Sequence, residues 1–161
     1  MKTLTSSEAK KIALDIFAKI ESVDSREFLL IHSEKVGKVA KTIAQGLKIN
    51  DEIFEIAGWI HDIGYLNNFE NHADFAIPIM KEMGYKLNEM LEDCILNHGN
   101  GKTPKTIEGK IFQLADKLSI FDVDIIENMI KKGGFPIKDD DISFLKMMSE
   151  NALKLLKNFS K

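Results

Sequence analysis

Residues 50–64 read NDEIFEIAGWIHDIG. Asn50 can cap a helix in which Ile53, Phe54, Ile56, Ala57, Trp59 and Ile60 recur at helical period, ending near Gly64. His61 and Asp62 therefore fall at a helix C-terminus beside a turn, a place from which side chains reach into a cleft. Working outward, a helix from about 25 to 48 carries the stripe Phe28, His32, Val36, Val39, Ala40, Ile43 and Leu47, so His32 faces inward. Before it, Thr5-Ser6-Ser7-Glu8 has capping-box spacing and opens a helix over 5–22 through Ala9, Ile12, Ala13, Ile16, Phe17 and Ile20.

On the other side, 65–71 is a polar connector, followed by a helix with His72, Ala76, Ile79, Met80 and Met83 on one face and a kink expected at Pro78. A fifth helix after Gly84 holds Leu87, Leu91, Cys94, Ile95 and His98 and stops at Gly99-Asn100-Gly101. Thr103-Pro104 reads as N-cap and first-turn proline of a sixth, with Ile107, Ile111, Phe112, Leu114, Ala115, Asp116 and Leu118. A short helix near 124–132 ends at Gly133-Gly134-Phe135-Pro136. The last, 141–159, offers Ile142, Leu145, Met148, Leu153 and Leu156 for packing. Asp139-Asp140-Asp141 caps it and complements its dipole. No alternating strand pattern appears, so the expected fold is all-α: a single-domain bundle of about six to eight helices over 1–161.

Composition narrows the function classes. The 161 residues are 44% hydrophobic, enough for a sizeable core, and net charge is −3 with no basic run beyond Lys10-Lys11 or Lys131-Lys132. A nucleic-acid partner is not expected, nor a membrane, since no segment is long enough to span a bilayer. The single Cys94 excludes an intrachain disulfide and fits a reducing cytoplasm. Its apolar helical neighbours mark it as core, and the methionines read as core filler.

What remains is polar and patterned. His32, His61, His72 and His98 are all the histidines present, each on or beside the apolar stripe of a separate expected helix, with Asp62 and Asp116 completing the set. Histidines and aspartates converging in a core need a cation to neutralise them. Imidazole and carboxylate donors suit Fe, Mn, Co, Ni, Zn or Mg, and without a thiolate they argue against a structural zinc knot.

This ordered series resembles the HD-domain superfamily of metal-dependent phosphohydrolases, over roughly 29–122. The residues that carry it are LLIHSEKVGKVAKTIA with His32, AGWIHDIGY with His61 and Asp62, and FQLADKL with Asp116. The resemblance implies that His32, His61, Asp62 and Asp116 hold one metal. NHADFAIPIM and ILNHGNG offer His72 and His98 for a second, with Asp62 bridging both. The helices over 5–22 and 124–159 would flank that region in the same bundle. Implied too is hydrolysis of a phosphoester or phosphoanhydride of a nucleotide or small phosphorylated metabolite by metal-activated hydroxide, with Asp62, His72, His98 and Lys117 as catalytic candidates. If a single ion binds, the freed His72 or His98 would act as general acid. Lys35, Lys102 and Lys117 are candidate phosphate contacts. Tyr65 is a candidate for stacking on a base, whereas Trp59 reads as core.

No Gly-Tyr-Pro element follows the later histidines, which argues against a cyclic di-GMP phosphodiesterase. The short chain looks more like the small stand-alone members than the large triphosphohydrolases. A silent metal- or nucleotide-binding regulatory module and a di-iron oxygenase on the same scaffold are the alternatives. The apolar final helix also allows a homodimer.

Overall fold

Two glycines bring the central helices together. In the computed structural model, which describes residues 2–134 and 137–159, α2 (Val23–Gly46) and α3 (Glu52–Ile60) pack backbone to backbone. A Cβ on Gly58 would lie 2.6 Å from the Ser33 carbonyl oxygen and 2.8 Å from the Gly37 nitrogen. Only glycine permits that approach, and it sets the distance between His32 on α2 and His61 at the end of α3.

α1 (Ser6–Phe17) lies against α3 and buries Ala9, Ile12, Ala13 and Phe17. Its capping box forms as expected: the Thr5 hydroxyl accepts the Glu8 N–H and the Glu8 carboxylate accepts the Thr5 N–H. The helix ends at Phe17 rather than 22. Ile20 sits in the following turn because the Ser22 hydroxyl already caps α2, accepting the Ser25 N–H at 3.2 Å. In α2, Leu47 leaves the expected stripe as the exposed C-cap.

Asn50 accepts the Glu52 N–H at the start of α3. That helix stops at Ile60, and Gly64 falls within a 3-10 turn over Ile63–Leu66, so the connector begins with a helical turn. α4 (His72–Glu82) contains Pro78 without being ended by it, and Met83 becomes its exposed C-cap. α5 (Glu89–Leu96) is capped by Asn88, which leaves Leu87 before it and His98 beyond it.

α6 (Ile107–Ser119) is capped by Thr106, not Thr103. Asp93 on α5 decides this. Its buried carboxylate accepts the Thr106 N–H at 2.8 Å, the Thr106 hydroxyl at 2.7 Å, the Lys105 N–H at 3.0 Å and the Asn97 amide at 2.7 Å. Burial alone would raise the Asp93 carboxyl. The hydrogen bonds from Thr106, Asn97 and Lys105 outweigh it and hold the group below the ordinary range. The stabilisation is therefore present above the unfolded value of about 3.9 and is lost as pH falls through the lower folded value. Asp93→Ala, which strands these donors, is expected to cost about 3 kcal/mol at pH 7, read as a shift in urea midpoint without a change in slope.

α7 (Val123–Gly133) starts from the Asp122 carboxylate, which accepts the Asp124 N–H. Of the stop expected after it, Phe135 and Pro136 lie outside the described residues. α8 (Asp139–Phe159) carries the three aspartates in its first turn. The main core runs from α1 to α6, with Phe17, Phe54, Ile60, Ile63 and Phe112 fully buried. A second cluster of Ile120, Ile125, Met129 and Met148 packs α8 over α6 and α7. Ile142, Leu153 and Leu156, expected to pack, are exposed on the outer face of α8. Among the described residues the fold is all-α, and no helix is long and apolar enough to cross a membrane.

Candidate metal centre

Five segments deliver the histidines and aspartates to one point. His32 comes from mid-α2, His61 and Asp62 from the end of α3, His72 is the first residue of α4, His98 follows α5, and Asp116 comes from α6. All are buried except His72, which is half-buried at the wall of a cleft of about 560 Å³.

The imidazoles are aimed by their far nitrogens. Nδ1 of His61 lies 2.9 Å from the Gly58 carbonyl, that of His72 2.9 Å from Phe69, and that of His98 2.6 Å from Ile95. A carbonyl only accepts, so each Nδ1 carries the proton and each Nε2 presents a lone pair inward. His32 reaches the same state through Ser119. That hydroxyl donates to the Asp116 carbonyl at 2.9 Å and accepts from His32 Nδ1 at 3.3 Å.

The lone pairs meet in two groups. Nε2 of His32 and of His61 are 3.4 Å apart, and Nε2 of His72 and of His98 are 3.1 Å apart. Asp62 stands between them. Its Oδ2 is 3.1 Å from His61 and 3.7 Å from His32, whereas its Oδ1 is 2.9 Å from His72 and 3.8 Å from His98. Asp116 Oδ1 lies 3.0 Å from His32 and 3.8 Å from His61. Donor atoms of His32, His61 and Asp116 fall within 4.8 Å of one another, as do those of His61, Asp62 and His98. Imidazole lone pairs opposed at such distances, beside two carboxylates, are the donor set of one or two divalent cations, and the residues fit that group.

The electrostatics agree for the two carboxylates and for His98. Burial would raise the Asp62 carboxyl, but His61 and His72 hold it well below the carboxylate range. Lys117 and His32 do the same for Asp116 against burial. Burial, reinforced by His61, pushes His98 down to about 4. For His61 and His72 burial acts downward too, yet contact with Asp62 leaves both raised. Both carboxylates are thus ionised and His98 is neutral at pH 7, the states that ligation needs.

The lysines fare differently. Lys35 turns away from the cleft and pairs with Asp122 at 3.0 Å and Asp124 at 2.5 Å, so it is not placed to contact phosphate. Lys117 is buried, with its ammonium on the Asp116 carboxylate and 2.9 Å from the His98 carbonyl. Lys102 lines the cleft. Tyr65 does as well, its ring 4.7 Å from that of His72, whereas Trp59 is core with Lys10 over its face. Cys94 is buried, as expected, and burial pushes its thiol up.

Sequence reasoning missed the supporting residues. Ser119 was legible in principle, one helical turn after Asp116. Gln113, whose amide donates to the Gly99 and Lys102 carbonyls and so shapes the loop after His98, gives no local signal.

A family model described as HD domain matches residues 29–120. The chain is 29% identical over 115 residues to a deoxyguanosinetriphosphate triphosphohydrolase-like protein of Caldanaerobacter subterraneus subsp. tengcongensis, covering 60% of this chain and 34% of that protein. It is 32% identical over 94 residues to ribonuclease Y of Fusobacterium nucleatum, covering 56% and 18%. The chain thus spans about a third or less of the length of these curated relatives. Among solved structures it is similar in fold to a protein described as a predicted HD superfamily hydrolase, from an uncultured Thermotogales bacterium, with TM-score 0.60, 19% identity and coverage of 95% of this chain and 90% of that one.

Proposed function

The chain belongs to the HD-domain family, and from that premise we propose that it is a metal-dependent phosphohydrolase acting on a small phosphorylated substrate, a nucleotide. The observation that carries this reading is the division of Asp62, one oxygen toward His32 and His61 and the other toward His72 and His98. A carboxylate so placed would offer one oxygen to each group of histidines, so that each group could hold a divalent cation. Nucleotide phosphate bonds are also what the names of the relatives point to. Net charge −3 and the lack of a basic run favour a small nucleotide over a polynucleotide.

Bound divalent cations supply Lewis acidity, lowering the pKa of water and offsetting charge on a phosphoryl group. The chain's own residues do the rest. His32, His61, Asp62 and Asp116 form one ligand group, and His72 and His98, sharing Asp62, form the other. The Nδ1 tethers fix each imidazole before ligands arrive, so little reorganisation remains. Lys117 fills the role of a holder rather than a phosphate contact, restraining Asp116 and the backbone at His98. Tyr65 and Phe69 give the cleft an apolar wall that a base can stack on. Hydrolysis forms one P–O bond from water, breaks the ester or anhydride P–O bond and leaves the water's proton on the departing oxygen.

The same reading takes 1–161 as one such domain, in a reducing cytoplasm where Cys94 stays a thiol. Exposed Ile142, Leu153 and Leu156 support pairing of two copies through α8. The deciding experiment is elemental analysis of protein purified without chelator, alongside turnover of nucleotides with Mn, Fe, Co or Ni added. About two ions per chain with turnover is the expected result. A chain that takes up no metal under any of these conditions overturns the reading.

A further inference from the structure

The cleft over the metal centre shares walls with two further cavities strung along α8. Phe144 borders both the cleft and a cavity of about 460 Å³ that Tyr65 and Phe69 also line. Met148 faces the cleft itself. One to two turns on, Asn151 and Lys154 line an annex of about 200 Å³, which meets the cleft at Asn100, Lys102 and Lys117. From Phe144 to Lys154 the helix rises about 15 Å, so the cavities lie toward opposite ends with the metal centre between them.

Their chemistries differ. The first is walled by aromatic rings and carries charge of both signs, Asp24, Asp140 and Asp141 against Lys132 and Lys138. The annex is lined by three lysines and no carboxylate, with the amides of Asn100, Asn151 and Gln113 beside them. Lys117 is committed to Asp116, but the ammonium groups of Lys102 and Lys154 have no ion-pair partner among the described residues. Residues of α8 fall outside the stretch that the family model matches, which assigns them nothing.

We infer that Lys154, with Lys102, is a specificity determinant that binds a second phosphate of the substrate. The reacting phosphorus is then internal: it carries a planar apolar group toward Phe144 and a phosphate tail toward Lys154. This rests on the hydrolase reading above and narrows its substrate to an anhydride or diester with a further phosphate, excluding a simple terminal monoester. Water's hydroxyl ends on the reacting phosphorus, its proton on the departing oxygen, and each product keeps one end of the molecule. An ammonium pair facing an anion in a partly enclosed annex provides charge-assisted hydrogen bonds that a single phosphate at the metals does not reach.

The test is calorimetric titration of metal-loaded protein, free metal in excess, with inorganic pyrophosphate and with orthophosphate, on wild type, Lys154→Glu and the Lys102→Ala/Lys154→Ala double variant. Both side chains are exposed, so the variants fold. The expected result is a pyrophosphate Kd raised about tenfold or more, with the orthophosphate Kd changed less than about twofold. Equal weakening of both ligands, or no change in either, overturns the inference. Turnover of nucleoside di- and triphosphates on the same samples separates the two claims. Turnover without discrimination removes the annex and leaves the hydrolase. Discrimination without turnover keeps the annex as a polyphosphate subsite and removes the hydrolase.

Discussion

Asp62→Asn is expected to lower kcat/KM by about 10³-fold or more and to release most of the bound metal, with the helical far-UV spectrum unchanged. The substitution is nearly isosteric and the amide fills the same space. It replaces one of the two oxygens with a donor, however, and removes the charge that both histidine pairs face. Whichever way the amide turns, one group of imidazoles meets an NH2 where it had an anion. The measurement is steady-state kinetics with elemental analysis on the same preparation. A variant that kept both ions and near-normal turnover would show that Asp62 does not link the two groups, and the reading built on it would fall.

How much of this was visible in the chain follows from which forces are local. Helical period placed His32 inward on α2, where Val36 and Ala40 of the expected stripe are buried. Leu29 and Ala44 share that face, while Phe28, Val39 and Ile43 are only partly covered. Asp116 on α6 is likewise buried as its stripe implied. The capping box at Thr5 was legible because both of its partners lie within four residues. The boundary before α6 was not. Thr103-Pro104 and Thr106 are both acceptable starts on propensity, and the choice belongs to Asp93, more than ten residues away. Lys35 was misplaced for a related reason. Sequence proximity to His32 says nothing of Asp122 and Asp124, which α7 brings to it. Exposed Ile142, Leu153 and Leu156 show the limit of periodicity on α8, where the turn of the helix over the cleft decides which apolar side chains are covered.

The closeness of α2 and α3 was equally hidden, since Gly37 and Gly58 carry no pattern of their own, yet it governs the site. Gly58→Ala is expected to destabilise the protein by about 3 kcal/mol and to lower Tm by roughly 10 °C, even though alanine is the better helix former by about 1 kcal/mol. The added methyl would meet backbone atoms of Ser33 and Gly37 at 2.6–2.9 Å, and backbone in a packed helix cannot swing aside as a flexible side chain can. The helices must separate. His61 then moves from His32, and the Gly58 carbonyl that orients His61 moves with it. Metal affinity is therefore expected to fall by about tenfold or more, although Gly58 touches no cation. Gly46→Ala, at the end of the same α2 with nothing within 4 Å of the new methyl, separates the causes. Thermal melts and metal titrations of the pair should show Gly46→Ala unchanged or slightly stabilised and fully competent. A Gly58→Ala protein that melted and bound metal as wild type does would mean that the helices can part without moving the histidines.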